Sequence, residues 1–282
     1  MNLITKFLIV VLAFVTTHVM AQDFQGEATY KTHRQMNIQL DSSQVSSEMH
    51  QRMMDMMKKQ FEKTYILSFN KEESVYKEDK ELEAPQPAGM QLVMVNTSGS
   101  DILYKNTKDQ RFASQNEVYG KIFLVKDEIE KREWQLTNET KNIGDYTSYK
   151  ATFTREAPVV RSFISVNGDN DPDEDEANAE PETETITVTA WYTPDIPVNN
   201  GPGRYDGLPG LILEVNDGPT TIMCSRIVLN PQKAVTIEEP AKGKKVNQKE
   251  YDEIMEKKAK EMRERYNSDR DDGHNVKIRI GG

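Results

Sequence analysis

The sequence predicts a mainly β, α+β protein: a curved antiparallel meander sheet or half-barrel, with a Met-rich N-terminal helix and a charged C-terminal helix. Two observations carry this prediction. Short runs of alternating apolar and polar residues recur along most of the chain, with turn residues between them. These runs follow one another too closely for intervening helices, and strands joined by short turns pair antiparallel. Helical spacing of apolar residues occurs near the two ends of the chain instead, which places the two helices.

The first 21 residues read as an export signal. Lys6 supplies a positive charge, residues 7–15 are almost unbroken in their apolar character, and Val19-Met20-Ala21 offers compact residues for cleavage before Gln22. The apolar run is shorter than the ~20 residues that a bilayer crossing needs. No later segment is comparably apolar, so no membrane span is expected once the signal is removed, and the expected location is the periplasm or outside the cell. No cysteine follows the cut site to carry a lipid. The single cysteine, Cys224, can form no internal disulfide, and its alternation with Ile222 and Val228 marks it as a small buried residue.

A first strand is expected over 24–32, where Phe24, Gly26, Ala28 and Tyr30 alternate with polar residues. Asp41 and Gln44 form a capping box for a helix over 43–63, along which Met49, Met53, Met56, Met57 and Phe61 recur at helical spacing. Strands follow at 65–69, 74–77, 90–95, 102–105, 111–114, 121–125, 134–137, 146–153 and 159–166. An acidic run over 168–184 has no basic residue, repels itself and is expected to be a disordered loop between paired strands. The sheet resumes at 186–192, and 211–215 with 221–229 form a hairpin around Asn216-Asp217-Gly218. A helix over 247–266 carries Glu253, Glu256 and Glu261 four residues ahead of Lys257, Lys260 and Arg265. Its thin stripe of Tyr251, Ile254, Met255 and Met262 predicts loose packing, and 267–282 is expected to be a mobile tail. Residues 22–240 are thus one β-rich domain, and 241–282 an appended helix and tail.

With 36% hydrophobic and 29% charged residues, the chain has material for a core, which excludes a collagenous or multi-spanning protein. Its net charge of -10 opposes polyphosphate, so nucleic acid is not an expected partner. Asp169, Asp171, Asp173, Asp175 and Glu180 have the spacing of a calcium loop, but Glu174 stands where the sharp turn needs glycine. Met49, His50, Met53 and Met57 could present soft ligands to copper from one helix face. The same stripe also suits a helix packed on a sheet. The three histidines after the signal, His33, His50 and His274, fall in no catalytic spacing, and no nucleophile elbow or phosphate loop occurs. No catalytic residue or cofactor is expected, and an enzyme would have to rely on carboxylates.

The most distinctive stretch runs from Trp191-Tyr192-Thr193-Pro194-Asp195-Ile196-Pro197 through Gly201-Pro202-Gly203-Arg204-Tyr205-Asp206 to Gly207-Leu208-Pro209-Gly210-Leu211-Ile212-Leu213. Pro194 and Pro197 forbid regular ladder bonding, so the chain must leave the sheet and cross over. Leu208-Pro209-Gly210-Leu211 has the residues of a type II turn, and the strand after it should be buried on both faces. This stretch, with the block from Thr140 to Ala151, resembles the GLPGLI family of exported bacterial proteins. Ser148 stands where many relatives carry a cysteine. The resemblance implies a secreted or periplasmic protein of uncharacterised function and transfers no catalytic residues. Taken with the curved sheet, the expectation is a noncatalytic binding or envelope-associated protein. Trp191, Tyr205, Leu208 and Met53 would line an apolar groove for a ligand or an envelope partner. The alternatives are a copper-handling protein and a carboxylate enzyme. The oligomeric state is open.

Overall fold

The computed structural model describes residues 24–35, 37–39, 62–79, 102–118, 120–158, 162–166, 183–268 and 276–281. The segments expected to form an export signal, a Met-rich helix up to residue 61 and a strand at 90–95, with most of the acidic run, lie outside the described residues. The strands in chain order are β1 (Gln25–Arg34), β2 (Asn37–Gln39), β3 (Lys63–Asn70), β4 (Glu73–Glu78), β5 (Ile102–Asn106), β6 (Arg111–Val118), β7 (Lys121–Glu128) and β8 (Gln135–Ile143). They continue as β9 (Tyr146–Pro158), β10 (Ser162–Val166), β11 (Thr183–Thr193), β12 (Leu211–Asp217), β13 (Thr220–Leu229) and β14 (Lys244–Val246), then a helix, α1 (Gln248–Ser268), and β15 (Val276–Gly281).

The protein is mainly β. Among the described residues one sheet holds twelve strands in the order β14-β7-β6-β5-β4-β3-β1-β13-β12-β11-β9-β8. Two meanders are visible in that order, β3 to β7 and β8 to β13, and β1 stitches them together by pairing with β3 on one side and β13 on the other. Neighbours are antiparallel except β14, which runs parallel to β7. Among the described residues the closely spaced alternating runs therefore pair as their spacing predicts, except the run expected over 159–166: its strand β10 pairs with β15 in a second sheet, and β11 pairs with β9 instead.

Side-chain alternation places the core. Ala28 and Tyr30 of β1, Leu67 and Phe69 of β3, Tyr76 of β4 and Leu103 of β5 fall on one phase and pack in the main cluster. The Tyr65 and Tyr76 rings stack at 4.7 Å. On the opposite phase Val75, Tyr104, Ala113 and Leu124 form a smaller cluster against Ile237. A third cluster gathers Ala151, Val188, Ala190 and Val215 of the second meander.

Further features extend or correct the sequence expectation. Val276–Gly281, within the stretch expected to be mobile, is the middle strand of a second sheet, ordered β10-β15-β2. The helix does not simply project: Tyr251, Ile254 and Met255 pack against the main cluster, and the Tyr251 ring meets Phe123 edge-on at 5.8 Å. A thin stripe suffices because one turn-spaced set of side chains covers the end of β7. The last residues of the acidic run also differ, since β11 begins at Thr183.

The start of α1 is closed by a reciprocal pair. The Glu250 N–H donates to Asn247 Oδ1 at 2.8 Å and the Asn247 N–H donates to Glu250 Oε2 at 3.0 Å. Asp127 of β7 adds a tertiary cap, accepting the Gln248 N–H at 2.9 Å. The backbone bonds from Gln248 and Glu128 hold the Asp127 carboxyl below its ordinary value. A carboxyl depressed on folding stabilises above its unfolded pKa, and that contribution is lost as pH falls through the folded value. Asp127→Ala is expected to lower stability by about 1 kcal/mol at neutral pH, and the difference from wild type should shrink in acid. Urea unfolding at neutral and acid pH measures both.

Candidate functional site

β11 and β12 pair directly as antiparallel neighbours, so the segment between them is a long hairpin loop rather than the expected crossover. It is the best-organised irregular segment among the described residues. Pro194 and Pro197 cannot donate to a ladder, so the chain departs after Thr193 and returns at Leu211. On its return, β12 pairs with β13 only from Glu214 to Asp217. The loop closes the space that this leaves. Leu211 N–H donates to the Ile196 carbonyl and Ile212 N–H to the Asn200 carbonyl, each at 3.0 Å. Ile196 and Val198 thereby enter the main cluster. From β1, the wholly buried Tyr30 hydroxyl donates to the Ile212 carbonyl at 2.7 Å, and burial pushes its pKa well up.

The turn at Leu208-Pro209-Gly210 is tighter than the type II geometry that its residues predict. Gly210 N–H donates to the Leu208 carbonyl at 2.8 Å, closing a three-residue turn, while Leu211 N–H goes to Ile196 instead. Glycine is needed for close approach: a Cβ at residue 210 would lie 2.1 Å from the Thr193 carbonyl oxygen. Leu211, Ile212 and Leu213 are buried in succession, as a strand covered on both faces requires.

Charged side chains then pin the loop. Lys105 of β5 is only 2% exposed, and its Nζ donates to the Tyr205 carbonyl at 3.1 Å and the Gly201 carbonyl at 3.3 Å. It also lies 3.4 Å from Asp206 Oδ2, an ion pair without hydrogen-bond alignment. Burial lowers the Lys105 pKa to about 8, and Asp206 partly opposes this. From the β7–β8 connection, Arg132 donates to the Arg204 carbonyl at 2.8 Å, stands 3.6 Å from Asp206 Oδ1 and lies over the Tyr205 ring. Trp134 Nε1 donates to the Asp206 carbonyl at 2.8 Å. Tyr205 donates its hydroxyl to Asp217 at 2.5 Å, and Arg155 donates to the same carboxylate at 2.8 Å. Burial, followed by the bond to Asp217, drives the Tyr205 hydroxyl far above its ordinary pKa. The arrangement joins β5, the β7–β8 connection, β9 and β12 through one loop. Chemically it is a clamp, because each charge faces an internal partner and the central pair is shielded from solvent.

The residues expected to line a groove fall in two places. Leu208 is buried beside the part-buried Tyr205, where both pack with Ala190, Tyr192 and Val215. Trp191 lies between Ala190 and Tyr192 in β11 and so points to the opposite side of the pleat. There Lys141 Nζ sits 4.4 Å from the Trp191 ring centroid and donates to Glu214 at 2.7 Å. Met223, 45% exposed, is registered directly across from Glu214. Met53, and the metal candidates Met49, His50, Met53 and Met57, lie outside the described residues. No group of three or more His, Cys, Asp or Glu is poised to hold a metal among the described residues. Cys224 packs half-buried against the main cluster, with its thiol raised to about 11 by burial.

Sequence reasoning missed Lys105, Arg132, Arg155 and Asp217. Lys105 did leave a signal: it shares the phase of Leu103 in β5, which puts a lysine on the buried side. Arg132, in an irregular connection, left none.

Fold and clamp together define a β-rich protein organised on one large, mainly antiparallel sheet, with a pinned loop between β11 and β12. Residues 134–214 match the family model described as "Protein of unknown function (Porph_ging)". The matched span runs from Trp134 to Glu214 and contains the whole loop between β11 and β12. No curated protein matches. Two solved structures of PNGF-II, in the C2 and P21 space groups, are similar over 82% of this chain at 15% identity and a TM-score of 0.45. The chain spans about a third of those structures, 32% of their length.

Proposed function

We propose that the chain is an exported, noncatalytic member of the GLPGLI family that binds an apolar ligand or partner segment in the cell envelope. The observation that carries this reading is the internal pairing of the charges that pin the loop between β11 and β12. Lys105 and Asp206, at 2% and 8% side-chain exposure, face each other and the loop backbone, a state suited to holding shape rather than to meeting a substrate. The apolar run and compact cleavage residues of the first 21 positions support export. The reach of Lys105 on β5 to the loop between β11 and β12, across the four strands that separate β5 from β12 in the sheet, supports a curved half-barrel.

On this reading the contact surface is the side of β11, β12 and β13 that carries Trp191, Glu214 and Met223, where a half-buried indole and an exposed thioether flank the Glu214–Lys141 pair. Tryptophan and methionine are enriched where proteins bind partners. Titration with the apolar probe anilinonaphthalene sulfonate tests it. Energy transfer from Trp191 is expected on binding, and Trp191→Ala and Met223→Ala are each expected to weaken binding about tenfold while circular dichroism stays unchanged. Equal probe affinity in wild type and both folded variants would overturn the assignment.

A further inference from the structure

We infer that Lys105 and Asp206 condense into an intramolecular amide, a covalent cross-link tying β5 to the loop between β11 and β12. This goes beyond the binding reading and does not depend on it.

The geometry is that of a reactant pair. Lys105 Nζ lies 3.4 Å from Asp206 Oδ2, and the two side chains are 2% and 8% exposed. A neutral amine has two N–H donors and one lone pair. Both donors have acceptors here, the Gly201 and Tyr205 carbonyls, which leaves the lone pair for the direction of Asp206. Burial favours that neutral form, lowering the Lys105 pKa to about 8. On the other side, Asp206 Oδ2 is buried and accepts no hydrogen bond, so its departure breaks none. Arg132 stands 3.6 Å from Asp206 Oδ1, the oxygen that carries negative charge in a tetrahedral adduct.

The step balances within the pair. One proton passes from the Lys105 ammonium to Oδ2. The freed lone pair attacks Cγ and forms the Nζ–Cγ bond, with charge collecting on Oδ1. A second Nζ proton passes to Oδ2, the Cγ–Oδ2 bond breaks, and Oδ2 leaves as water while the Cγ–Oδ1 double bond re-forms. No oxidant, reductant or co-reactant enters. Two buried charges are exchanged for a neutral amide and a released water, and held reactants have a large proximity advantage. The chain has a single cysteine and so no internal disulfide, and this amide would constrain the unfolded chain as a disulfide does.

Mass spectrometry of the denatured full chain, with tryptic mapping, tests the inference. The expected result is a chain one water lighter than its sequence. It should yield a branched peptide joining the Lys105 and Asp206 segments, with no tryptic cut after Lys105. Lys105→Arg and Asp206→Ala should each restore the full sequence mass. Asp206 precedes Gly207, and an aspartyl-glycine pair can also lose water as a cyclic imide. A water loss confined to that bond, with Lys105 cleaved normally, overturns the cross-link. So does a wild-type chain of full sequence mass.

Discussion

Gly210→Ala is expected to abolish the folded loop between β11 and β12. The new methyl group would sit 2.1 Å from the Thr193 carbonyl oxygen and 2.9 Å from the Pro194 nitrogen, both backbone atoms. A flexible side chain could swing aside, but here either β11 or the turn must move. Moving the turn breaks the Leu211 bond to Ile196 and displaces Ile196 from the main cluster. The expected loss is about 4 kcal/mol or more, at the extreme of single-substitution effects. Gly144→Ala is the control. Its φ is also positive, at 56°, but a Cβ there meets nothing within 4 Å, so the loss should be only about 1 kcal/mol. Urea unfolding followed by tryptophan emission separates the two, because Trp134 donates to Asp206 and reports on the loop directly. Similar losses in both variants would show that backbone conformation, not close approach, is what residue 210 supplies.

Lys105→Met should be comparably damaging, at about 3–5 kcal/mol. Methionine nearly matches the volume, so the loss is electrostatic. The Tyr205 and Gly201 carbonyls lose their donor, and the buried Asp206 carboxylate keeps only Arg132, at 3.6 Å. The same variant cannot form the amide, so the sign holds for either state of the pair. Adding Asp206→Leu removes the stranded carboxylate and should recover more than half of the loss. Arg132, 13% exposed, can reach water without it. A double-mutant cycle by urea denaturation measures the coupling, and strictly additive losses would mean that Lys105 and Asp206 act independently.

Much of the local structure was legible because it depends on neighbours in sequence. Alternation placed both meanders, since the pleat turns successive side chains to opposite faces. The C-terminal helix was placed to within one residue: its expected start, Asn247, is the cap residue that Glu250 answers, a pair the sequence reading did not single out. The turn at Pro209-Gly210 could be located but not typed. Its geometry is set by Thr193, which abuts it through space. Leu208 and Tyr205 do share a cluster, whereas the pleat sends Trp191 to the other face.

The amino-acid order by itself determined that the chain is mainly antiparallel β, where it leaves the sheet and where it returns, because proline, glycine and alternation act within a few residues. Only the tertiary structure decided that β1 joins the two meanders and that Lys105 meets a loop 100 residues away at Tyr205. Such contacts depend on which distant surfaces exclude water together, and a buried charge finds its partner only once that packing has formed.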